Sequence, residues 1–536
     1  MLKYEFGILF LNVLRYNEFT GKLRMKIDQI KMGSLLSYLS LILGTVVSLV
    51  YTPIMIERLG QSEYGVYSIV LPMVSYLNLF SFGLGSAYTR FYTRYKEAND
   101  KYNMAKLNGM FLVIYSLLGV LVLIVGFTIA ANPRLAFGQK LTEEEIELAV
   151  RLMYIMTVTA AVSFPLSVFE SNTMVNERYI FLKLLAIVKS VINPLLIIPL
   201  LMIGLRSEAI AYMSLAFTLF SGVLNIIYCN KKLAIRFYFR DFDFKLLKSM
   251  FKFTGWVFVG IVVDQLNWSV DKLLLAWMHG SNEVATYNVA SQLNIYYMSM
   301  ATTFSGILTP RVHQMVANKV PDKQISDLFI RVGRFQFTIL TMILFGFVAV
   351  GYPFVLLWAG EANANAFVIA LLLFIPTILP SIQNLGIEIL RAKNMHKFRS
   401  LVYVLVAVLN IVISIPLCAL FGAVGVAIGT AIPVFIGNGL IMNWYYNKYI
   451  GLDIPRFWRR ITALLPSLVV PAIAAILIAC LAHASGYLGI LFWGVIYVVI
   501  FIVSVWLIGL TPREKEIVTS PLKRIIYKIL SKLLRL

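Results

Sequence analysis

The sequence predicts an all-α polytopic membrane protein of about 14 transmembrane helices, arranged as two six-helix bundles and a C-terminal helix pair. Of the 536 residues, 60% are hydrophobic and 14% are charged, whereas soluble domains carry about 25% charged residues. Apolar stretches of about 20 residues, which is the length that crosses a bilayer, recur along the chain. Short motifs also repeat at a nearly constant distance from one another, which indicates two related bundles.

Fourteen candidate spans can be located, and an even number of crossings places both termini on the same side of the membrane. Of the 47 Lys and Arg residues, 40 lie on that side and 4 on the other. Because cytoplasmic loops are enriched in Lys and Arg, we expect cytoplasmic termini. The same distribution explains the net charge of +21 without nucleic acid as a partner. The spans are 33–56, 64–88, 107–131, 148–170, 179–203, 209–229, 252–278, 284–308, 329–353, 365–387, 400–420, 423–446, 461–483 and 487–510.

An internal repeat relates the two parts of the chain. Asn193 recurs as Asn410, and Pro199 recurs as Pro416 at the same separation. A repeat of six spans keeps its orientation, so we expect two bundles related by an axis along the membrane normal, with a site between them. The other matches, at the same separation or slightly more, are Tyr228 with Tyr445, Gly60 with Gly280, Glu63 with Glu283 and Tyr67 with Tyr287.

The repeat divides the chain into segments. Met25 competes with Met1 as the start site, because the first residues are a mixture of apolar and basic side chains. We expect a cytoplasmic N-terminal segment at 1–31, a first six-helix bundle at 32–230, a cytoplasmic linker at 231–251, a second six-helix bundle at 252–448, an accessory helix pair at 449–510 and a basic cytoplasmic tail at 511–536.

The seventh span carries several polar residues at membrane depth. Asp264 and Asp271 are seven residues apart and share a helix face, Gln265 and Lys272 share the neighbouring face, and Asn267 lies between them. A charge at this depth costs about 2.5 kcal/mol or more, so we expect these side chains to face a water-filled cavity or partners. The functional interpretation is a cavity-lining helix of a transporter. The alternative is that Asp271 and Lys272 reach the outer interface, or pair with charges on other helices and only hold the bundle together.

Polar residues at membrane depth are fewer elsewhere. Lys189 lies near the middle of the fifth span and is followed by Asn193, where a proline interrupts the helix ladder. We interpret the two as substrate contacts, with a kinked structural helix as the alternative. Asn78 in the second span is a weaker candidate for the same cavity. Arg90 and Arg94 follow that span and are either topology charges or an entry site for an anionic lipid headgroup.

The sequence offers no motif for catalysis, a cofactor or a metal ion. It has no P-loop, no Ser-His-Asp arrangement and no zinc-ligand spacing. Its three cysteines and four histidines are scattered along the chain. We therefore expect a transporter and not an enzyme, with no cofactor and no bound metal. The acidic run 143–145 is interpreted as a solvated helix start after Thr142.

Three segments carry a resemblance to a known family. They are FGLGSAYTRFYTRY at 82–95, LGQSEYGVYS at 59–68 and DKLLLAWMHGSNEVATYNVASQL at 271–293. The chain resembles the polysaccharide flippases of the MATE-like MOP exporter superfamily, the Wzx-type exporters of O-antigen, capsule and teichuronic-acid precursors. The segments cover both bundles and are specific to the family but not to one substrate.

The resemblance implies two bundles in a V, a central and often cationic cavity, and alternating access. It implies that an undecaprenyl-pyrophosphate-linked oligosaccharide is carried across the bacterial plasma membrane. Lys189 and Lys272 would then attract the pyrophosphate or acidic sugars. Asp264 and Asp271 would hold those lysines, contact glycan hydroxyls, or titrate if transport is coupled to protons. Coupling to H⁺ or Na⁺ and contact with a polysaccharide polymerase or assembly proteins stay open. The alternatives are a cation-coupled exporter of small amphipathic compounds and, more remotely, a membrane glycosyltransferase or polymerase.

Overall fold

The computed structural model describes residues 29–395, 397–481, 486–512, 514–516 and 519, and its long elements are all helices. Most of the predicted N-terminal segment and of the basic tail lies outside the described residues. The helices are α1 Gln29–Leu77, α2 Leu84–Glu97, α3 Lys101–Ala131, α4 Pro133–Phe137, α5 Glu143–Val175, α6 Tyr179–Met202, α7 Ser207–Tyr228, α8 Phe244–His279, α9 Ser281–Ala317, α10 Asp322–Ala359, α11 Ala366–Ile382, α12 Asn384–Ala392, α13 Lys397–Val434, α14 Met442–Tyr445, α15 Ile454–Thr462, α16 Leu465–Leu481 and α17 Gly486–Ser504.

The predicted all-α polytopic class is confirmed. In the described part of the chain, nine helices are long and apolar enough to cross a membrane, or up to eleven if each bent helix pair is one span. Two continuous stretches, Leu39–Glu97 and Lys397–Ile450, each cover two of the predicted spans. Gly60 and Gly422 interrupt the helical backbone within them. The number of 14 spans therefore stays a prediction.

Backbone geometry recurs at matching places along the chain. Residues with a positive φ are uncommon for any amino acid except glycine. Five pairs of residues with positive φ are separated by nearly the same length of chain, which is the repeat distance expected from the sequence. The pairs are Gly60 with Gly280, Asn99 with Lys319, Gly138 with Gly360, Glu177 with Asn394, and Gly204 with Gly422.

Side-chain packing repeats in the same way. Phe181 stacks on Tyr228 with ring centroids 4.1 Å apart, and Phe398 stacks on Tyr445 at the same distance. Each tyrosine is followed by a π-helical turn, at Cys229–Leu233 and Tyr446–Ile450. Stacked aromatic pairs contribute about 0.5–1.5 kcal/mol beyond the area that they bury. We therefore call α1–α7 the first half and α8–α14 the second half, while the exact boundaries of the two bundles stay a prediction.

Two glutamates cap equivalent helices. Glu63 accepts a hydrogen bond from the backbone N–H of Ser207 at 2.7 Å, at the start of α7. Glu283 accepts one from the N–H of Ala423 at 3.0 Å, where the helix restarts after Gly422. A carboxylate at a helix N-terminus satisfies an unpaired donor and interacts favourably with the helix dipole. The sequence match between Glu63 and Glu283 thus corresponds to one structural role in each half.

The glycine turns lie together at one end of the molecule. We call this the glycine end, defined by Gly60, Gly138, Gly280 and Gly360. We call the opposite end, where residues 234–243 connect the halves, the basic end. This connection is fixed to the first half, because the N–H of Tyr238 donates to the carbonyl of Ala105 at 2.9 Å. The halves meet mainly where α1 packs against α8 and α9.

The protein surface shows where lipid would lie. Along α3, the side chains of Leu117, Val120 and Ile124 follow one another at intervals of three and four residues and are exposed by 64%, 53% and 59%. The opposite face of the same helix buries Phe111 and Val122 in the first half. Exposed apolar stripes of this kind are costly in water and favourable in hydrocarbon, so the chain is a multi-pass membrane protein.

The C-terminal helices α16 and α17 pack against α10 of the second half. Their attachment includes a buried arginine. Nε of Arg334 donates to Glu514 at 2.8 Å, and other donors of the same guanidinium reach the carbonyls of Arg460 and Gly509. The side chain of Arg334 is only 7% exposed. Because an arginine stays charged when buried, this ion pair fixes the end of the helix pair to α10.

Replacing Glu514 with alanine is expected to loosen this attachment and to lower the thermal unfolding midpoint in detergent. Removing one partner of a buried ion pair costs about 3–5 kcal/mol, and we expect the low end because Arg334 keeps two carbonyl acceptors. Burial raises the pKa of Glu514, but hydrogen bonds from Arg334 and Thr511 outweigh it and lower the pKa overall.

The lowered pKa gives this pair a defined pH dependence. The stability that Glu514 contributes is fully present above the carboxyl pKa of the unfolded chain, about 4.3, and is lost as the pH falls through the lower pKa of the folded state. The unfolding midpoint of the wild type, measured at a series of acidic pH values, should therefore approach that of Glu514→Ala. A constant difference between the two proteins at every pH would contradict the ion-pair role.

Candidate functional site

The C-terminal part of α8 connects the two halves through Lys272. Its Nζ donates to Oδ1 of Asn288 at 2.5 Å. The Nδ2 of Asn288 in turn donates to the hydroxyl of Tyr64 at 2.7 Å, and Tyr64 belongs to α1 of the first half. Tyr64 is 1% exposed and Asn288 is 9% exposed. The predicted cavity lysine therefore lies at the contact between the halves and takes part in a polar chain that joins them.

Asp271, the preceding residue, faces the interior of the second half. Its Oδ2 accepts hydrogen bonds from the hydroxyls of Tyr287 at 2.5 Å and Thr430 at 2.8 Å. Its other oxygen, Oδ1, is buried and has no hydrogen-bond partner among the residues that the structure describes. The Asp271 side chain is 2% exposed. This aspartate is thus removed from bulk water, and its hydrogen bonds are to residues of the second half.

The surroundings of Asp271 are rich in oxygen atoms. Asn410 accepts a hydrogen bond from the Ser414 hydroxyl at 2.7 Å and donates to Thr430 at 3.4 Å. Carboxylate, amide and hydroxyl oxygens are the ligands that hard cations take. Among the described residues no group of three or more His, Cys, Asp or Glu could hold a metal ion. A single carboxylate with neutral oxygen neighbours is suited to one proton or one monovalent cation.

Asp271 and Lys272 therefore have different hydrogen-bond partners, because successive side chains of a helix point about 100° apart. The hydrogen bonds described above for the Asp271 carboxylate come from hydroxyl groups, and its expected role in holding a lysine stays a prediction. The repeat supplies a comparison, because the position equivalent to Asp271 in the first half is Tyr51. The Tyr51 hydroxyl is buried and has no partner among the described residues. The carboxylate network is thus a property of the second half.

The remaining predicted residues of α8 lie one to two helical turns before Asp271. Nε2 of Gln265 donates to the Ser269 hydroxyl at 2.6 Å. Oδ1 of Asn267 is buried without a hydrogen-bond partner in the described part of the chain. The backbone of Asp264 belongs to α8, but its side chain lies outside the described residues. Its role as a cavity residue therefore stays a prediction.

The two candidates on α6 stand apart from this group. Lys189 is exposed, and no ion pair to it is found among the described residues. Oδ1 of Asn193 is buried and lacks a partner within the same residues. Asn193 corresponds by the repeat to Asn410, which has hydrogen bonds to Ser414 and Thr430. The described contacts do not join Lys189 or Asn193 to the α8 residues.

The candidates in and after the second span are Asn78, Arg90 and Arg94. Asn78 begins the short turn Asn78–Ser81 and lines a groove in the first half. The guanidinium of Arg90 lies 4.4 Å from the ring centroid of Phe253 on α8, so it also connects the halves. Cation–π contacts of this kind contribute about 0.5–2 kcal/mol. Arg94 is exposed on the next turn of α2.

The sequence did not predict the contacts that join the halves at the glycine end. Nε2 of Gln61 donates to the carbonyl of Ala362 at 3.2 Å. The carboxylate of Glu145 accepts hydrogen bonds from the hydroxyls of Ser62 and Ser281, which belong to different halves. The predicted helix start after Thr142 is present as a capping box, but Glu145 is also a bridge between the halves. Thr142 and Glu145 are close in sequence, so the sequence could indicate the helix cap that they form but not the bridge from Glu145 to the second half.

Gly65 allows the two halves to come this close. A Cβ atom placed on Gly65 would lie 2.1 Å from the backbone oxygen of Ser281, far inside van der Waals contact. Two tryptophans add hydrogen bonds between the halves, because Trp358 donates to the carbonyl of Leu49 at 2.7 Å and Trp277 to that of Ala136 at 2.9 Å. The glycine end is therefore closed in this structure.

These features define a class of protein: a multi-pass, all-helical membrane protein of two similar halves that meet at a polar contact and are closed at one end. The chain belongs to the polysaccharide biosynthesis protein family, whose model matches residues 30–316, more than half of the sequence. The resemblance drawn from residues 59–68, 82–95 and 271–293 is thereby confirmed.

Three known proteins show how far the similarity extends. A Shigella flexneri protein named "Putative O-antigen transporter" is 20% identical over 404 residues, which are 73% of this chain and 91% of that protein. The structure of the lipid II flippase MurJ, in an inward closed conformation, matches with a TM-score of 0.69 at 16% identity. The match covers 92% of this chain and 99% of the MurJ chain. An inward-facing multidrug resistance MATE family transporter of the MOP superfamily has a TM-score of 0.64 at 14% identity, with coverage of 78% and 95%. The two structures establish a shared fold.

Proposed function

We propose that this protein is a flippase that carries a lipid-linked oligosaccharide across the bacterial plasma membrane for the synthesis of a cell-surface polysaccharide. Its membership of the polysaccharide biosynthesis family is the observation that carries the proposal. The relative named as an O-antigen transporter and the fold shared with a lipid II flippase support it. The substrate would be an oligosaccharide joined to undecaprenyl pyrophosphate.

The proposed orientation places the basic end in the cytoplasm and the glycine end outside. The loops of the basic end hold most of the Lys and Arg residues, which is the pattern of cytoplasmic loops. With this orientation the contacts of Gln61, Glu145 and Gly65 close the outer side. Transport would require these contacts to separate while contacts at the basic end, such as Arg90 over Phe253, form or tighten. This exchange is the alternating access that the proposal needs.

Lys272 is the proposed binding residue for the pyrophosphate. Lys272 lies at the contact between the halves, and the side chain to which it donates there, Asn288, is neutral, so its ammonium group can also interact with an anion. A charge in this position interacts more strongly with an anion than it would in water. We propose Asp264, Gln265, Asn267, Lys189, Asn193 and Asn78 as further lining of the translocation path, and Arg90 and Arg94 as the cytoplasmic entry for the headgroup.

Asp271 is the proposed coupling residue. A buried carboxylate with an unpaired oxygen gains free energy when it binds a proton or a cation. Its partners Tyr287 and Thr430 lie on α9 and α13, so binding at Asp271 would alter how α8 packs against two other helices. Coupling to H⁺ or to Na⁺ would act through this network, while the glycan itself would be bound elsewhere.

A complementation assay tests the proposed function. In a strain that lacks the gene, we expect loss of surface polysaccharide and accumulation of the lipid-linked precursor, and wild-type protein should reverse both. Lys272→Ala should fail to reverse them at matched expression, and Lys272→Arg should reverse them at least partly because it keeps the charge. Lys323→Ala, a change to an exposed lysine at the basic end, is the matched control.

Two results would contradict the proposal. If the deletion leaves surface polysaccharide intact and alters sensitivity to small cationic compounds, the protein is an exporter of amphipathic compounds. If Lys272→Ala complements as well as Lys323→Ala does, the flippase function stands and the assignment of Lys272 is wrong.

A further inference from the structure

A groove of 450 Å³ opens in the first half between α2, α3, α5 and the turn Asn78–Ser81. Its volume lies within the range of about 300–1,000 Å³ that is typical of ligand pockets. Every residue that lines it is neutral. We call it the serine groove, after the five serines in its wall: Ser81, Ser86, Ser163, Ser167 and Ser171.

The serine hydroxyls leave hydrogen-bonding capacity in the groove. Ser163, Ser167 and Ser171 are four residues apart and so lie on one face of α5. The hydroxyls of Ser163 and Ser167 donate to carbonyls of their own helix at 2.6 Å, which leaves the oxygen lone pairs as acceptors. The hydroxyls of the other three serines form no hydrogen bond with the residues that the structure describes. A row of hydroxyls is unfavourable against hydrocarbon, so the groove is suited to a polar ligand.

Tyr115 is an independent indication of a ligand. Its side chain is 5% exposed, it lines the groove, and its hydroxyl has no hydrogen-bond partner in the described part of the chain. That hydroxyl lies 3.9 Å from the place where Gly85, another lining residue, would carry a Cβ atom. This hydroxyl is open to the groove and therefore offers a donor to a molecule there.

The chemistry of the groove wall matches a neutral sugar. Phe164 and Tyr115 pack against each other in the wall with ring centroids 6.0 Å apart. Sugar rings present hydroxyl groups, which donate and accept hydrogen bonds. The combination of serine acceptors, a tyrosine donor and no charge matches this chemistry. It does not match a pyrophosphate, which requires cations or several N–H donors.

We propose that the serine groove binds uncharged sugar rings of the carried glycan. This inference rests on the proposed flippase function and extends it, because it separates two subsites. Lys272, at the contact between the halves, would hold the charged pyrophosphate, and the serine groove in the first half would hold neutral sugars. The selection of the glycan would then depend on the first half.

Cysteine protection in the purified full-length protein tests the proposal. The three native cysteines are replaced by serine, and Ser167→Cys is introduced in the groove. Ser249→Cys, an exposed serine at the start of α8 and outside the groove, is the matched control. Labelling by a soluble maleimide is measured with di- to tetrasaccharides of glucose, galactose and N-acetylglucosamine, and separately with inorganic pyrophosphate. At least one neutral sugar should slow the labelling of Ser167→Cys about threefold when its concentration is twice the dissociation constant.

Pyrophosphate should not slow this labelling, and Ser249→Cys should react at the same rate throughout. Tyr115→Phe removes only the hydroxyl and should weaken protection by the sugar while the thermal unfolding midpoint stays unchanged. Equal protection of both cysteines, protection by pyrophosphate, or no protection by any sugar would overturn the proposal. Complementation by the wild-type protein is independent of these results. If no sugar protects the groove, the flippase function can still be correct. If complementation fails, sugar binding in the groove can still be observed.

Discussion

Replacing Gly65 with alanine is expected to abolish transport by preventing closure of the glycine end. The added Cβ would meet the backbone oxygen of Ser281 at 2.1 Å, and backbone cannot move aside as a flexible side chain can. Overpacking of this kind costs about 1–3 kcal/mol. The cost applies only to the closed arrangement, so the equilibrium between open and closed forms would shift by about 5- to 150-fold.

Two measurements check this result. Complementation reports transport, and disulfide formation between Gln61→Cys and Ala362→Cys, in protein without native cysteines, reports closure, because the two residues meet across the halves. Gly44→Ala is the matched control on the same helix, since its Cβ would meet only the Ser190 side chain at an ordinary 3.8 Å. If Gly65→Ala forms the disulfide as fast as the control and complements equally well, the closure role of Gly65 is wrong.

Replacing Asp271 with asparagine is expected to stop transport while the protein still folds, whereas alanine should also reduce stability. Asparagine keeps the size and one oxygen acceptor for Tyr287 and Thr430 but cannot carry the charge that would attract a cation or take up a proton. Alanine removes the acceptor from both buried hydroxyls, although Thr430 still accepts a hydrogen bond from Asn410. A buried polar group left without its partner costs about 1–3 kcal/mol. The unfolding midpoint should therefore be highest for the wild type, lower for Asp271→Asn and lowest for Asp271→Ala.

The ion is identified by its effect on that midpoint. If Na⁺ is the coupling ion, the unfolding midpoint of the wild-type protein in detergent should be higher in Na⁺ than in K⁺. If H⁺ is the coupling ion, the midpoint should change with pH alone. Either dependence should vanish in Asp271→Asn. Tyr51→Phe is the control at the equivalent position of the first half, where it removes a hydroxyl that has no described partner, so it should have little effect. An Asp271→Asn variant that transports normally would show that Asp271 only holds helices together, which is the structural alternative.

The sequence predicted the fold class and the internal repeat because both depend on local patterns. Apolar length indicates membrane helices whatever their neighbours are, and the matches of Gly60 with Gly280 and Glu63 with Glu283 correspond to equal backbone turns and equal helix caps. The number of 14 spans stays a prediction. Gly60 and Gly422 interrupt the helical backbone inside two long stretches, each of which the sequence divides into two spans.

The candidate site was predicted only in part. The polar residues of α8 could be named, because a charge in an apolar helix stands out from its sequence neighbours. Their partners could not, since the polar chain from Lys272 ends at Tyr64 in the other half and Thr430 lies on α13, far from Asp271 along the chain. The glycine-end contact was missed because Gly65 and Ser281 are ordinary residues whose importance comes only from their closeness.

The sequence by itself thus determined that this protein is a membrane-embedded helical bundle with an internal repeat, because hydrophobic length, charge distribution and motif spacing are properties of the chain alone. The family was indicated separately, by the resemblance of residues 59–68, 82–95 and 271–293. Only the tertiary structure decided that Asp271 faces into the second half while Lys272 faces the contact between the halves. The same is true of Glu145, which bridges Ser62 and Ser281. The physical reason is that hydrogen-bond partners are chosen by the packing of distant helices, which no local pattern specifies.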